Sequence, residues 1–203
     1  MPATASKQAD AARAKSDGIQ TTVVLPAYNE DAALPHVLDE LEASLDQSYE
    51  ILVVDDGSTD DTAEVAEQHH CRLIKHSSNR GKGVAIRTGI AEAQGENVVI
   101  MDADATYPVP AIAEMVELLD ENDLVRGIRS SEGESMPLVN RFGNWLFNKL
   151  LAISHGLEGS DHLSGLYGIR RSAALRLGTE ATGFDIETEI GIKARARGLK
   201  VAE

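Results

Sequence analysis

Cysteine is almost missing from this sequence. Cys71 is the single one in 203 residues, so the chain closes no disulfide within itself and gives no support for an oxidising compartment. Between "EQHH" and the apolar "RLI" it reads as a small core residue. Long apolar runs are absent too: nothing approaches the roughly eighteen residues needed to cross a bilayer. The opening "MPATASKQADAARAKSDG" lacks the apolar stretch of a secretory signal, and residues 1–20 read as a polar, disordered extension. Positive charge is scarce. Nineteen Lys and Arg face 33 Asp and Glu, a net charge of −14, which argues against general nucleic-acid binding. A surface this acidic and lysine-poor fits a salt-loving source and equally an ordinary acidic protein. No internal repeat or low-complexity segment is visible. His155, His162 and the pair His69–His70 show no metal-ligand spacing and read as surface or capping residues.

What remains is the composition of a soluble globular protein, 42% hydrophobic and 26% charged, with room for one domain and a small subdomain. From residue 21 short apolar runs alternate with longer amphipathic segments. "TTVVLP", "ILVVDD", "CRLIK" and "NVVIMD" predict strands, with "DLVRG" a weaker fifth. Between them "EDAALPHVLDELEASLD", "TDDTAEVAEQHH", "RGKGVAIRTGIAEAQ" and "VPAIAEMVELLDEN" predict helices. Thr59 reads as an N-cap and Gly95 as a helix stop. Beyond residue 127 the pattern predicts a polar loop, the amphipathic helix "LVNRFGNWLFNKLLAISHGL", a strand in "LSGLYGIRR", a helix in "FDIETEIGIKARARG" and a strand start in "LKVAE". This is an α/β sequence: a Rossmann-like, mostly parallel sheet with helices on both faces.

Sheets of this kind bind ligands at the carboxyl ends of their strands. Here those ends carry "PAYNE", "DDGSTD" and "DADATYP". Asp102 and Asp104, one residue apart after a buried run, repel each other unless a positive charge sits between them. Mg²⁺ or Mn²⁺ prefers such oxygen ligands and would hold a diphosphate against the chain. Asp55 and Asp56 are predicted to accept hydrogen bonds from a ribose or a base edge, with Gly57 permitting the tight turn that follows. "NRGKG" at 79–83 opens a helix with a flexible cationic segment suited to a phosphate or base, without the spacing of a Walker loop. Together these predict a nucleotide-diphosphate site with a metal.

"VVLPAYNE", "VVDDGSTDDT", "NRGKG", "DADATYP" and "DHLSGLYGIRR", in that order over residues 21–171, resemble family 2 glycosyltransferases of the GT-A fold. Within that family the chain looks most like the polyprenyl-phosphate (dolichyl-phosphate) sugar transferases. The resemblance implies inverting, metal-dependent transfer of a hexose from a UDP- or GDP-sugar to a polyprenyl or dolichyl phosphate. It places the enzyme at the cytoplasmic face of the membrane, supplying lipid-linked sugar for glycosylation. It implies nucleotide-sugar contacts at Pro26, Tyr28, Glu30, Asp55, Asp56, Lys82, Asp102, Ala103 and Asp104, and metal binding by Asp102 and Asp104, with Asp104 catalytic. Arg129 and Arg141 match acceptor-phosphate arginines, and Asp161, Ser164 and Gly165 match a segment near the acceptor. Ile128 departs from the usual serine, and "TYP" from the more common "QHP" or "QDP".

A phosphate acceptor also agrees with elementary chemistry. A hydroxyl acceptor needs a general base, whereas a phosphate monoester, its second pKa about 6, is already mostly ionised and needs cationic steering. Arg126, Arg129 and Arg141 are placed to supply it. Asp161 stays open as a base, as a partner for an arginine or as a contact of the donor sugar. The alternative function is transfer to a sugar hydroxyl in glycan or polysaccharide assembly. Glu187 and Glu189 read either as a charged helix face or as neighbours of the acceptor site. Phe142, Trp145 and Phe147 read as packing, on a helix whose apolar face suits a membrane surface. A sugar nucleotidyltransferase would need a "GxGTRL"-like loop where this chain has "PAYNE". A non-catalytic module on a transferase fold sits poorly with Asp102 and Asp104 both in place. The resemblance assigns 21–203 to the catalytic domain and implies a further strand, acceptor-side elements and membrane-associating helices beyond residue 203.

Overall fold

The computed structural model describes residues 18–127 and 165–203. The predicted N-terminal extension up to residue 17 and the helix predicted around Trp145 lie outside them. Strands β1 (Thr21–Ala27), β2 (Tyr49–Asp55), β3 (Arg72–Lys75) and β4 (Asn97–Ile100) alternate with helices α1 (Leu34–Ser44), α2 (Thr62–Glu67) and α3 (Lys82–Glu92). Helix α4 (Ala111–Leu119) and strand β5 (Leu124–Arg126) follow; then come β6 (Tyr167–Arg170), α5 (Arg171–Leu177), α6 (Ile186–Ala196) and β7 (Val201–Ala202). The seven strands form one sheet in the order β3-β2-β1-β4-β6-β5-β7. β1 to β4 are parallel, and β6 runs antiparallel to both neighbours. Helix α5 was not anticipated: "RSAALRL" is a short helix directly after a strand.

Alternation along the strands builds two cores. Val23 and Leu25 of β1 face one side with Leu34, Leu38 and Leu41 of α1 and Ile112 and Leu119 of α4. Val24 faces the other, with Ile86 and Ile90 of α3 and Ile186 and Ile190 of α6. Helix α1 presents its apolar residues at three- and four-residue spacing and carries Pro35 in its first turn, where proline is tolerated. Helix α6 carries Glu187 and Glu189 in its first turn and Lys193 and Arg195 in its last, the arrangement its dipole favours. Cys71 packs half-buried against the first core as expected, and burial pushes its thiol up to about 11.

Two sequence-based expectations are corrected. Helix α2 starts at Thr62, not beside Thr59; the Thr59 amide donates to Asn29 Oδ1 at 2.9 Å, and Asp60 Oδ1 caps Thr62 instead. Helix α3 ends at Glu92, and Gly95 lies further on, where a Cβ would come within 2.7 Å of the Thr21 and Thr22 backbone. Gly95 is small because β1 passes against it.

A buried polar knot fixes the start of the sheet. The Glu50 carboxylate accepts from Thr22 Oγ1 at 2.6 Å and from the Gln94 amide at 3.0 Å, and pairs with Arg72 at 3.0 Å. Because Arg72 is partly solvated, Glu50→Ala is expected to cost about 2 kcal/mol, below the usual loss for a fully buried pair. Urea denaturation followed by circular dichroism reads this as a lower midpoint at unchanged slope.

Candidate active site

β1 turns to β2 on one side and lies beside β4 on the other, so the carboxyl ends of β1 and β4 flank a topological switch point. A cavity of about 280 Å³ opens there, lined by residues that include Pro26, Tyr28, Glu30, Asp56, Lys82 and Asp102 to Asp104. Gly183 and Phe184, from the chain before α6, close its far side. A larger hollow of about 1070 Å³ lies at the opposite edge beside Gly18, Ser48 and Tyr49, away from these charges.

The loops after β1 and β2 hold each other. The Asn29 amide donates to Ser58 Oγ at 3.0 Å, the Glu30 amide to Thr62 Oγ1 at 2.8 Å and the Asp31 amide to Asp60 at 3.3 Å. This lacing leaves Tyr28 44% exposed at the cavity rim. Gly57 has φ +75°, and a Cβ there would meet the Ser78 backbone at 2.4 Å, so the predicted tight turn is real and crowded.

The two aspartates at the end of β2 are both engaged within the chain. Asp55 is 2% exposed, accepts from the Ser58 amide at 2.9 Å and does not line the cavity. Asp56 borders the cavity, yet it accepts from His76 Nδ1 at 2.6 Å, from the Arg80 amide at 3.0 Å and from the Gly81 amide at 2.7 Å. It therefore anchors the "NRGKG" segment. His76, which also contacts Thr88 Oγ1 at 3.0 Å, was not singled out by sequence; a lone histidine gives no pattern to read. The segment itself is not an open phosphate cradle. The Gly83 amide donates to Thr182 O at 2.9 Å, and a Cβ on Gly81 or Gly83 would strike the carbonyl of Thr182 or Ala181 at 2.2 or 2.3 Å. These glycines let the chain before α6 lie on the start of α3. The Lys82 side chain is what this segment offers a ligand.

Asp102 and Asp104 do converge, with Ala103 turned into the core between them at 2% exposure. Asp104 Oδ1 accepts from the Thr106 amide at 3.1 Å and its hydroxyl at 2.6 Å. Asp102 Oδ1 lies 2.7 Å from Lys82 Nζ, which is also 2.8 Å from Glu187 Oε1 and 5.2 Å from the Phe184 ring centroid. Burial pulls the Lys82 ammonium towards its neutral form, but Asp102 and Glu187 outweigh it and hold its pKa above the ordinary value. Burial raises Glu187; burial, then Asp104 and Asp102, raises Glu30. Gly165 packs on the Asp102 carboxylate, where a Cβ would come within 2.1 Å of Oδ2, and its amide donates to Tyr107 Oη at 2.7 Å. Tyr107, one of the departures from the family pattern, ties the aspartate loop to the approach of β6. The helix after it starts only at Ala111.

Glu187 and Glu189, read together from sequence, part company. Glu187 enters the site, while Glu189 accepts from the Glu180 and Ala181 amides at 2.9 and 2.8 Å and pairs with Lys193 at 2.6 Å. Arg126 lies away from the cavity and pairs with Glu203 at 2.6 Å. His69 caps as expected, its Nδ1 2.9 Å from Val65 O. Arg129, Arg141, Asp161 and Ser164, and with them Ile128, Phe142, Trp145, Phe147, His155 and His162, lie outside the described residues.

Among the described residues Lys82 is the one cationic side chain lining a cavity that also presents Glu30, Asp56, Asp102 and Asp104. Such a surface repels a diphosphate unless divalent charge comes with it. No three His, Cys, Asp or Glu residues among those described group as a complete metal site. Asp102 and Asp104 offer hard oxygens of the kind Mg²⁺ or Mn²⁺ takes, with remaining positions left for ligand oxygens, so the residues fit a metal that arrives with a diphosphate. No helix among the described residues is long and apolar enough to cross a membrane.

Residues 22–178 match the family model described as "Glycosyl transferase family 2". The glycosyltransferase AglJ of Haloferax volcanii is 33% identical over 183 residues, which span 88% of this chain and 59% of that protein. The dolichyl-phosphate hexose transferase of the same organism is 33% identical over 184 residues, 89% of this chain and 79% of that one. Among solved structures, glucosyl-3-phosphoglycerate synthase from Mycobacterium tuberculosis, in complex with Mn²⁺, uridine diphosphate and glucosyl-3-phosphoglycerate, superposes with a TM-score of 0.78 at 28% identity. That match covers 100% of this chain and 74% of the synthase.

Proposed function

As the chain belongs to glycosyl transferase family 2, we propose that it transfers a hexose, with inversion, from a UDP- or GDP-sugar to a polyprenyl or dolichyl phosphate at the cytoplasmic face of a membrane. The observation that carries the donor half is the cavity at the β1–β4 switch point, acid-lined around a single lysine. A divalent cation balances that surface, and with it a diphosphate can approach the same carboxylates and meet Lys82. Mg²⁺ or Mn²⁺, when bound, supplies positive charge to the leaving nucleoside diphosphate. Asp102 and Asp104 hold the ion, and the Lys82 ammonium adds charge stabilisation as the sugar–phosphate bond breaks. Tyr28 at the rim offers its ring to the base. For the acceptor, Arg129 and Arg141 steer the lipid phosphate, and residues 21–203 act as the catalytic domain; these assignments rest on the sequence and on the relative named for dolichyl phosphate. The synthase whose complex contains glucosyl-3-phosphoglycerate favours a second reading, a small soluble acceptor.

The test is transfer of labelled sugar from a panel of UDP- and GDP-sugars to a short polyprenyl phosphate, to 3-phosphoglycerate and to free sugars. Mn²⁺-dependent labelling of the lipid phosphate, abolished by chelation, is the expected result. Labelling of phosphoglycerate or of a sugar hydroxyl alone overturns the lipid acceptor and keeps the family.

A further inference from the structure

Lys82 faces an imbalance: one ammonium stands between two carboxylates, each at full ion-pair distance. The side chains of Lys82 and Glu187 are 13% and 7% exposed, so water does little to dilute the contest. Among the described residues Glu187 Oε2 is buried and has no side-chain hydrogen-bond partner, leaving acceptor capacity beside the ammonium. The backbone that leads to Glu187 is held against α3. The chain just before α6 is tied to α3 by the Gly83 amide donating to Thr182 O at 2.9 Å and by Arg87 donating to Ala181 O.

We infer that Glu187 is a positioning residue for the donor: it gives Lys82 a second anion to rest on, so that the ammonium leaves Asp102 to the incoming metal without losing its own ion pair. The inference deepens the proposed function and rests on its donor site. With Asp102 as the sole partner, Lys82 would neutralise it fully, and a metal would have to break an intact buried ion pair to reach the same oxygen. With Glu187 present the exchange becomes a shift of Nζ from two partners to one. Lys82 is then still fixed against Glu187, where it meets the donor diphosphate rather than swinging into solvent. The acidic companion that competes with Asp102 for the ammonium therefore keeps the metal site accessible.

The test is calorimetric titration of uridine or guanosine diphosphate, whichever the wild-type chain binds, in the presence of Mn²⁺, and of Mn²⁺ alone. Wild type, Glu187→Gln, Lys82→Met and the double variant form a cycle. Glu187→Gln is expected to weaken Mn²⁺ alone and Mn²⁺-dependent nucleotide binding about tenfold, as expected when a charge-assisted contact is lost. In the Lys82→Met background the same change is expected to alter either affinity less than about twofold, and Glu187→Asp should restore most of the loss. An equal effect in both backgrounds means that Glu187 acts as an ordinary nearby charge and overturns the inference, as does unchanged binding by Glu187→Gln. Should Glu187→Gln lose its native circular dichroism, Glu187→Ala takes its place in the same cycle with the same loss expected. Wild-type protein that binds neither nucleotide with Mn²⁺ defeats the donor reading itself, an outcome separate from a wild type that binds and a variant that does so equally well.

Discussion

Gly165→Ala is expected to lower kcat/KM for the nucleotide sugar at least about a hundredfold, close to 3 kcal/mol of transition-state stabilisation. The added Cβ would sit 2.1 Å from Asp102 Oδ2 and 2.5 Å from its Cγ, so the carboxylate must move. It cannot move cheaply, because its other oxygen lies 2.7 Å from Lys82 Nζ. Nor does the glycine have room to retreat, since its amide donates to Tyr107 Oη at 2.7 Å. The strain therefore falls on the geometry that a metal and diphosphate would use. Steady-state kinetics across a Mn²⁺ series would show the loss, with the apparent metal requirement rising and the melting temperature changing by only a few degrees. Wild-type turnover in this variant would mean that the carboxylate position seen here is not the one the chemistry uses.

Gly83→Ala is expected to reverse the usual rule for helices. Alanine in a helix interior ordinarily stabilises by about 0.5–1 kcal/mol over glycine. Here its Cβ would meet Ala181 O at 2.3 Å and the carbonyl carbons of Ala181 and Thr182 at 2.9 and 3.0 Å, all backbone atoms. Overpacking of about 1–3 kcal/mol, with the Gly83–Thr182 hydrogen bond weakened by about 1 more, outweighs the propensity gain. A net loss near 2 kcal/mol should lower the melting temperature by about 4–8 °C. Because the displaced chain carries Phe184 and Glu187, donor affinity should fall with it by at least about tenfold. A variant that melts at or above wild type would refute the close approach.

The sheet was legible because each of the first four strands is a short apolar run, and the edge that carries the cavity was legible because "PAYNE", "DDGSTD" and "DADATYP" all fall at strand ends. What escaped was set by long-range contacts. Thr59 has the side chain of a cap, but its amide serves Asn29, thirty residues earlier in the chain. The glycines of "NRGKG" announce that something approaches closely, and a phosphate and a peptide carbonyl give the same signature; only the fold shows that Thr182 is the visitor. Asp56 does line the cavity, but its contacts with two amides and with His76, twenty or more residues further on, leave no local pattern to read. Glu187 and Glu189 sit two apart on α6, which points them in nearly opposite directions. Sequence could name the pair but not choose between them. Lys82 lines the cavity beside the other residues that the sequence pointed to, while its attachment to Glu187 required the two halves of the chain to meet.

The reversed strand β6 has a consequence for how the protein is made. Because β6 runs against β4, it begins at the edge where β4 ends, and this brings Gly165 to Asp102 and, by way of α5, Glu187 to Lys82. About a hundred residues separate Lys82 from Glu187, and ribosomes add roughly 5–20 residues per second. For several seconds of each synthesis the nascent sheet would carry its aspartates and its lysine without the groups that complete their setting. If the proposed donor site is right, an unfinished chain is expected to be a poor trap for metal and sugar nucleotide, since the cavity closes only when Gly183 and Phe184 have emerged.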